Sequence, residues 1–269
     1  MSGFSAEWLA LRESYDVRAR NAAVFDAVVN WSAGKSSLNI VDLACGTGST
    51  LRSLAPRLKS KQSWHLVDND RALLARAANT PLPPGVMSTT VSVDLNGKLE
   101  EALIGTIDLV TTSALLDLVS EDWLRALGRK AAARSVPLYA ALSCDGRIEI
   151  DPVHSLDGAI IDAVNAHQRR DKGFGPALGP LAAGSATAQF ESLDYAVVQG
   201  RSDWVTGPQD RDVQMEILSG WANAARELGS LSRADIDRWA VWRRDAVAAG
   251  RSSIRVGHVD FFARPIAMR

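Results

Sequence analysis

Cysteine is scarce. The 269 residues contain two, Cys45 and Cys144, and Cys45 sits inside a Gly-rich run, which argues against a structural disulfide and for a reducing compartment. Histidine is nearly as scarce, and the four present (His65, His154, His167 and His258) show no paired ligand spacing, so no metal centre is expected. An excess of one charge is missing too. With 30 Lys+Arg against 31 Asp+Glu the net charge is −1, unlike the basic surplus of a chain built to grip nucleic acid. No apolar run approaches the length of a membrane span. The first twenty residues interleave Glu7, Arg12, Glu13, Asp16 and Arg18 with apolar positions, unlike a signal or transit peptide. The expectation is a soluble cytoplasmic protein, monomeric or homodimeric, with no membrane or nucleic-acid partner.

What the chain does have is a globular balance, 46% hydrophobic and 23% charged, and enough length for a sizeable core. Phe4 to Trp31 carries apolar residues every three or four positions, which predicts two helices broken near Asp16. Strands are then predicted at Leu38 to Leu43, a compact apolar run, and at Trp64 to Asp68, Val86 to Val93, Ile107 to Thr112 and Val136 to Ser143. Helices are predicted between them at Ser49 to Leu58, Arg71 to Ala78 and Glu121 to Arg134. Such alternation specifies a doubly wound parallel sheet with ligands at the carboxyl ends of its strands. Further on, a helix is predicted at Leu156 to Gln168, then a Gly- and Pro-rich loop from Arg169 to Gly184. Strands at Tyr195 to Gln199 and Ile254 to Ala263 flank helices at Gln209 to Leu228 and Ser232 to Ala249. The expected organisation is an N-terminal helical lid (1–36), a ligand-binding core (37–150), a helical and loop cap insertion (151–190), and a C-terminal part (191–269) completing the sheet.

The strongest chemical signal is Val41-Asp42-Leu43-Ala44-Cys45-Gly46-Thr47-Gly48-Ser49-Thr50: an apolar strand delivers an acid, then a tight glycine turn opens a helix. Glycine lets backbone approach a ligand, and a helix start offers free N–H groups to a carboxylate. A dinucleotide fingerprint would need a third small residue where Leu51 stands, which weakens the reading as an NAD-dependent oxidoreductase. The acids point elsewhere. Asp42 can hold an ammonium group, Asp68 at the end of the second strand can accept both ribose hydroxyls, and Asp94 after the third can accept from an adenine amino group. Amino acid, ribose and adenine in that order describe S-adenosylmethionine.

The Asp-Leu-Ala-Cys-Gly-Thr-Gly run, with Asp68 and Asp94 at their places, resembles the class I S-adenosylmethionine-dependent methyltransferases. The resemblance covers Ser37 to about Ser143, and Ala44 stands where many members have the first glycine. It implies a Rossmann-like sheet of seven strands, mostly parallel, and S-adenosylmethionine as cofactor, held by Asp42, Ala44, Cys45, Gly46, Gly48, Asp68, Asn69, Asp94, Leu95 and Ser113. It also places Ser113 to Asp117 toward the methyl acceptor. That segment lacks the Asn/Asp-Pro-Pro-aromatic signature of adenine and glutamine methylation, and neither cysteine follows a proline as in cytosine C5 enzymes.

The acceptor is therefore expected to be a small molecule, polar or anionic. The candidate residues are Asp117, with Arg169, Arg170, Lys172 and Phe174 of the cap, and His167 as a base able to take a proton near neutral pH. Arg18 and Arg20 are further candidates to reach the cofactor from the lid, and Trp204 is the tryptophan placed to matter. Trp8, Trp221, Trp239 and Trp242 read as packing residues. A non-catalytic S-adenosylmethionine-binding protein is the alternative.

Overall fold

In the computed structural model, which describes residues 4–266, two helices open the chain, α1 (Ala6–Ala19) and α2 (Ala22–Ser32). Each starts on a side-chain cap: the Trp8 N–H donates to the Ser5 hydroxyl at 3.1 Å and the Val24 N–H to Asn21 at 3.1 Å. The break expected near Asp16 falls at Arg20 and Asn21 instead. Asp16 is held within α1 by Arg12, four residues back, and the chain turns only where Asn21 can cap the next helix.

Strand and helix then alternate through β1 (Ser37–Leu43), α3 (Ser49–Leu54), β2 (Lys61–Asp68), α4 (Arg71–Ala78), β3 (Val86–Ser92), the single turn α5 (Leu99–Ala102), β4 (Leu109–Ser113), α6 (Glu121–Ala133) and β5 (Leu138–Asp151). Helix α3 ends short of Leu58 because the chain tightens into a 3-10 turn over Ala55–Arg57, whose carbonyl ends at Ala55 and Leu58 are taken by the buried Gln62 amide (2.9 and 3.2 Å). The second half adds α7 (Asp157–Gln168), α8 (Ala182–Glu191), β6 (Tyr195–Arg201), β7 (Trp204–Thr206), α9 (Arg211–Leu228), α10 (Arg233–Ala248) and β8 (Ser253–Pro265).

The sheet runs β3-β2-β1-β4-β5-β8-β6. Its first five strands are parallel, and β8 lies antiparallel between β5 and β6. The short β7, pairing the outer part of β8, is an eighth strand beyond the seven expected. Strand β5 is longer than its apolar core predicts. Past Ser143 it turns semi-polar yet keeps pairing with β8 as far as Asp151, with register shifts around Leu142 (φ 56°) and beyond Cys144. Asp260 of β8 holds that bend: its carboxylate accepts the Leu142 N–H at 2.8 Å and the Asn21 N–H at 2.9 Å.

Two apolar layers cover the sheet. One packs α2, α3, α7, α9 and α10 around Val28, Leu54, Ile160, Ile217 and Trp239, with Trp8 and Trp221 at its margin. The other packs α5, α6 and α8 around Leu99, Leu127 and Phe190. Trp242 instead lies against His154, with ring centroids 4.9 Å apart. Helix α8 is a correction to the long loop expected from Arg169 to Gly184. Its Ala-Ala-Gly-Ser-Ala-Thr-Ala run looks like a linker, but alanine favours helix, and Ala182, Ala186 and Phe190 recur every four residues on a buried stripe. The segment 151–190 is thus anchored in both layers, α7 on one face and α8 on the other.

Candidate active site

Strand β1 has β2 on one side and β4 on the other, so the winding reverses there and a crevice opens beyond their carboxyl ends. A cavity of about 850 Å³ occupies it, within the range of small-molecule sites. The loop after β1 is shaped by left-handed backbone at Ala44 (φ 52°), Gly46 (φ 53°) and Gly48 (φ 86°). A Cβ on Gly46 would stand 3.2 Å from Leu9 of α1, so a side chain there would crowd the cavity mouth. Asp68 ties two strand ends together. Its Oδ2 accepts the Gly46 N–H at 2.8 Å and its Oδ1 the Asp70 N–H at 2.9 Å, and each oxygen retains a lone pair for a ligand.

Of the residues expected at the cofactor, Ala44, Cys45, Gly46, Asp68, Asn69, Asp94, Leu95 and Ser113 line this cavity together. Asp42 and Gly48 stand behind it. Gly48 faces Ala77 of α4, while Asp42 is fully buried under the loop, its Oδ1 accepting the Thr111 hydroxyl at 2.8 Å and its Oδ2 without a partner among the described residues. Burial pushes the Asp42 carboxyl up to about 7, against the opposing help of the Thr111 hydroxyl and the Arg20 charge.

Of the residues expected at the acceptor, Lys172 and Phe174 line the cavity, with Phe174 edge-on to Trp123 at 5.7 Å. Asp117 lies just behind the wall, buried, with Oδ1 unpartnered and its carboxyl pushed up to about 6 by burial. His167, Arg169 and Arg170 do not reach the cavity. The His167 Nε2 is 2.9 Å from a Glu227 carboxylate oxygen, Arg170 donates to the Glu227 carbonyl at 3.2 Å, and Arg169 packs on Gly179. Lys172 connects the two zones, its Nζ lying 3.3 Å from His167 Nδ1.

Residues 40–135, from β1 to just before β5, match the family described as a methyltransferase domain. The matched stretch includes every strand end that borders the crevice. Among solved structures, the chain is similar to a cyclopropane-fatty-acyl-phospholipid synthase-like protein from Lactobacillus casei (15% identity, 93% of this chain and 98% of that one, TM-score 0.54). It is also similar to a candidate methyltransferase from Bacillus halodurans (13% identity, 91% and 100% coverage, TM-score 0.50). At these identities the likeness is one of fold. No curated protein matches the sequence significantly.

The crevice is roofed by α1, a face that the sequence reading does not pick out. Leu9, Arg12 and Asp16 line the cavity, whereas Arg18 lies over the Tyr15 ring (4.4 Å) and Arg20 donates to the Tyr139 hydroxyl at 3.0 Å. Arg12 and Asp16 form a buried pair at 3.0 Å, four residues apart on one helix face, a spacing visible in the sequence. Trp204 completes the roof. Its indole N–H donates to Asp16 at 3.0 Å and its ring lies 4.8 Å from the Arg12 guanidinium. Arg52 of α3 clamps the roof to the glycine loop, bonding Glu13 at 2.5 and 2.8 Å and the Thr47 carbonyl. No group of three or more metal-binding side chains occurs among the described residues, and no described helix is long and apolar enough to cross a membrane.

Proposed function

We propose that this cytoplasmic protein transfers the methyl group of S-adenosylmethionine to a small acceptor bearing a polar or anionic group. The observation that carries the reading is the division of one cavity: carboxylates and open backbone at the β1, β2 and β3 ends, and at the β4 end an apolar wall of Leu115, Leu118 and Phe174 with a single lysine, Lys172. Lys172 forms no salt bridge among the described residues, so its amino group is available to a polar or anionic acceptor.

The residues present fit the cofactor. Asp68 has lone pairs for two ribose hydroxyls, Asp94 stands beside the apolar Val93 and Leu95 where an adenine amino group would be read, and Gly46 leaves open the space a Cβ would narrow. The unpartnered buried oxygen of Asp42 provides negative charge beneath the end that takes the ammonium group. When bound, the cofactor supplies an electrophilic methyl carbon on a sulfonium. The chain's own work is alignment and exclusion of water: α1 covers the cavity, Arg12 and Asp16 neutralise each other at its roof, and Phe174 closes its side.

Calorimetry with S-adenosylhomocysteine should show binding that Asp68→Ala weakens. Incubation with methyl-labelled cofactor and a fractionated metabolite extract should place label in a small molecule. Binding without any transfer would leave a non-catalytic binder, and label appearing in protein or nucleic acid instead would overturn the acceptor class.

A further inference from the structure

Lys172 is the cavity's point of contact with a chain of polar groups that leads out of it. From Nζ the path runs 3.3 Å to His167 Nδ1, at the end of α7, and from Nε2 of the same ring 2.9 Å to the carboxylate of Glu227 on α9, which is exposed. The Glu227 carboxylate only accepts hydrogen bonds and an ammonium only donates them, so the neutral ring carries its hydrogen on Nε2 and presents its Nδ1 lone pair to Lys172. Both ends of the imidazole are therefore fixed, and its orientation is set by the lysine it faces.

Resting on the methyltransferase reading above, we propose that Lys172 receives the proton of a hydroxyl or ammonium acceptor, and that His167 and Glu227 are positioning residues that set the charge state and aim of Lys172. The proton balance is simple. The acceptor loses one proton to the free amine of Lys172, which becomes the ammonium, and the ammonium donates to the His167 Nδ1 lone pair. Release to water follows when Nδ1 takes a proton from Lys172, Nε2 gives one to Glu227, the exposed Glu227 loses it to water, and the ring regains its Nε2 hydrogen from solvent as Nδ1 loses its own. The substrate class this implies is a small molecule whose nucleophilic atom carries a removable proton, rather than one methylated at an already bare sulfur or tertiary nitrogen.

The charged groups around Lys172 set how readily it gives up its proton. His167 faces it from α7, Glu227 from α9 and Arg170 from its own loop, while Arg12, Asp16 and Asp94 share the cavity. Burial lowers its pKa below the usual lysine value, with Glu227 opposing that and Arg170 adding to it.

The test uses the full chain with lysine labelled at Cε with carbon-13 and followed by NMR across pH. Its signal is assigned by its loss in Lys172→Met. Lys172 should titrate below Lys35, Lys59, Lys61, Lys98 and Lys130, and both His167→Leu and Glu227→Gln should move it lower by roughly 0.5 in pH or more, since each removes a stabiliser of the ammonium. The rising limb of the pH profile for methyl transfer into the metabolite extract should move with it, and Lys172→Met should lose that limb while keeping S-adenosylhomocysteine affinity. A Lys172 that titrates with the surface lysines, and does so unchanged in both variants, overturns the proposal. Because Glu227 is exposed, its variant remains informative even if His167→Leu fails to fold. The titration needs no cofactor, so failure of S-adenosylhomocysteine binding would count against the proposed function and not against the lysine.

Discussion

Replacing Asp42 by Asn separates what the buried acid does for the ligand from what it costs the fold. In the folded chain its carboxyl sits at about 7, chiefly because burial disfavours the charge, against an ordinary 3.8. The unfolded chain therefore gives up this proton near pH 4 while the folded chain keeps it to about pH 7, so stability declines as pH rises through that interval and levels off above it. Asn cannot ionise and still offers an oxygen to the Thr111 hydroxyl. At one pH unit per 1.36 kcal/mol, the variant should gain about 3 kcal/mol on the wild type between about pH 4.5 and pH 8. Urea unfolding of both chains without cofactor at the two pH values measures the difference. The same substitution should weaken S-adenosylhomocysteine binding, measured by calorimetry at pH 8, because the negative charge beneath the ammonium end is gone. Parallel pH dependences for the two chains would refute the account of a buried, costly charge, and unchanged affinity would refute its place at the methionine end.

Three further outcomes are expected. Phe190→Ala removes a fully buried ring from the layer of α6 and α8 and should cost about 3–5 kcal/mol in urea unfolding. Trp204→Phe deletes the indole donor to Asp16 while keeping an aromatic ring over Arg12; a loss of about 1.5–3 kcal/mol is expected, with Trp fluorescence of the remaining residues used to follow unfolding. Burial lowers His258 to about 3 from an ordinary 6.5, with the Arg12 charge adding to it, so the unfolded chain takes up a proton that the folded chain refuses and stability falls as pH drops below about 6.5. His258→Gln should remove about 2 kcal/mol of the loss between about pH 7 and pH 5, read from denaturant midpoints at the two pH values.

The crevice edge was legible in the sequence because its parts are local: Asp42, Asp68 and Asp94 each stand at or just before the end of a strand or just after it, and parallel winding brings such ends to one edge. Helix α4 was read to the residue, Asp70 capping its start by accepting from Ala72 and Leu73 and Asn79 ending it. Strand β5 was truncated because the partner that prolongs it, β8, lies a hundred residues on, and pairing at that distance leaves no local periodicity. Helix α8 was lost to a composition of small residues that suits both a linker and a tightly packed helix. The roof escaped for a related reason. With a helix break expected near Asp16, nothing local pairs it with Arg12, and the Trp204 indole that bonds Asp16 lies nearly two hundred residues away. His167 was recognised as chemically apt, but its distance from the cavity is set by Glu227 on α9, which nothing near it in sequence announces.

The two anchors of segment 151–190 make its middle a replaceable graft. Helix α7 is rooted among α9 and α10, and α8 beneath the opposite face, so a chimera exchanging the whole segment with a homologue would have to satisfy two unrelated packing patterns at once. The stretch 169–176 spans the gap between those roots and carries Lys172 and Phe174 to the cavity. Diversity in acceptor choice can accumulate there by point changes and loop-length variation while both roots, and the cofactor edge of the sheet, stay as they are.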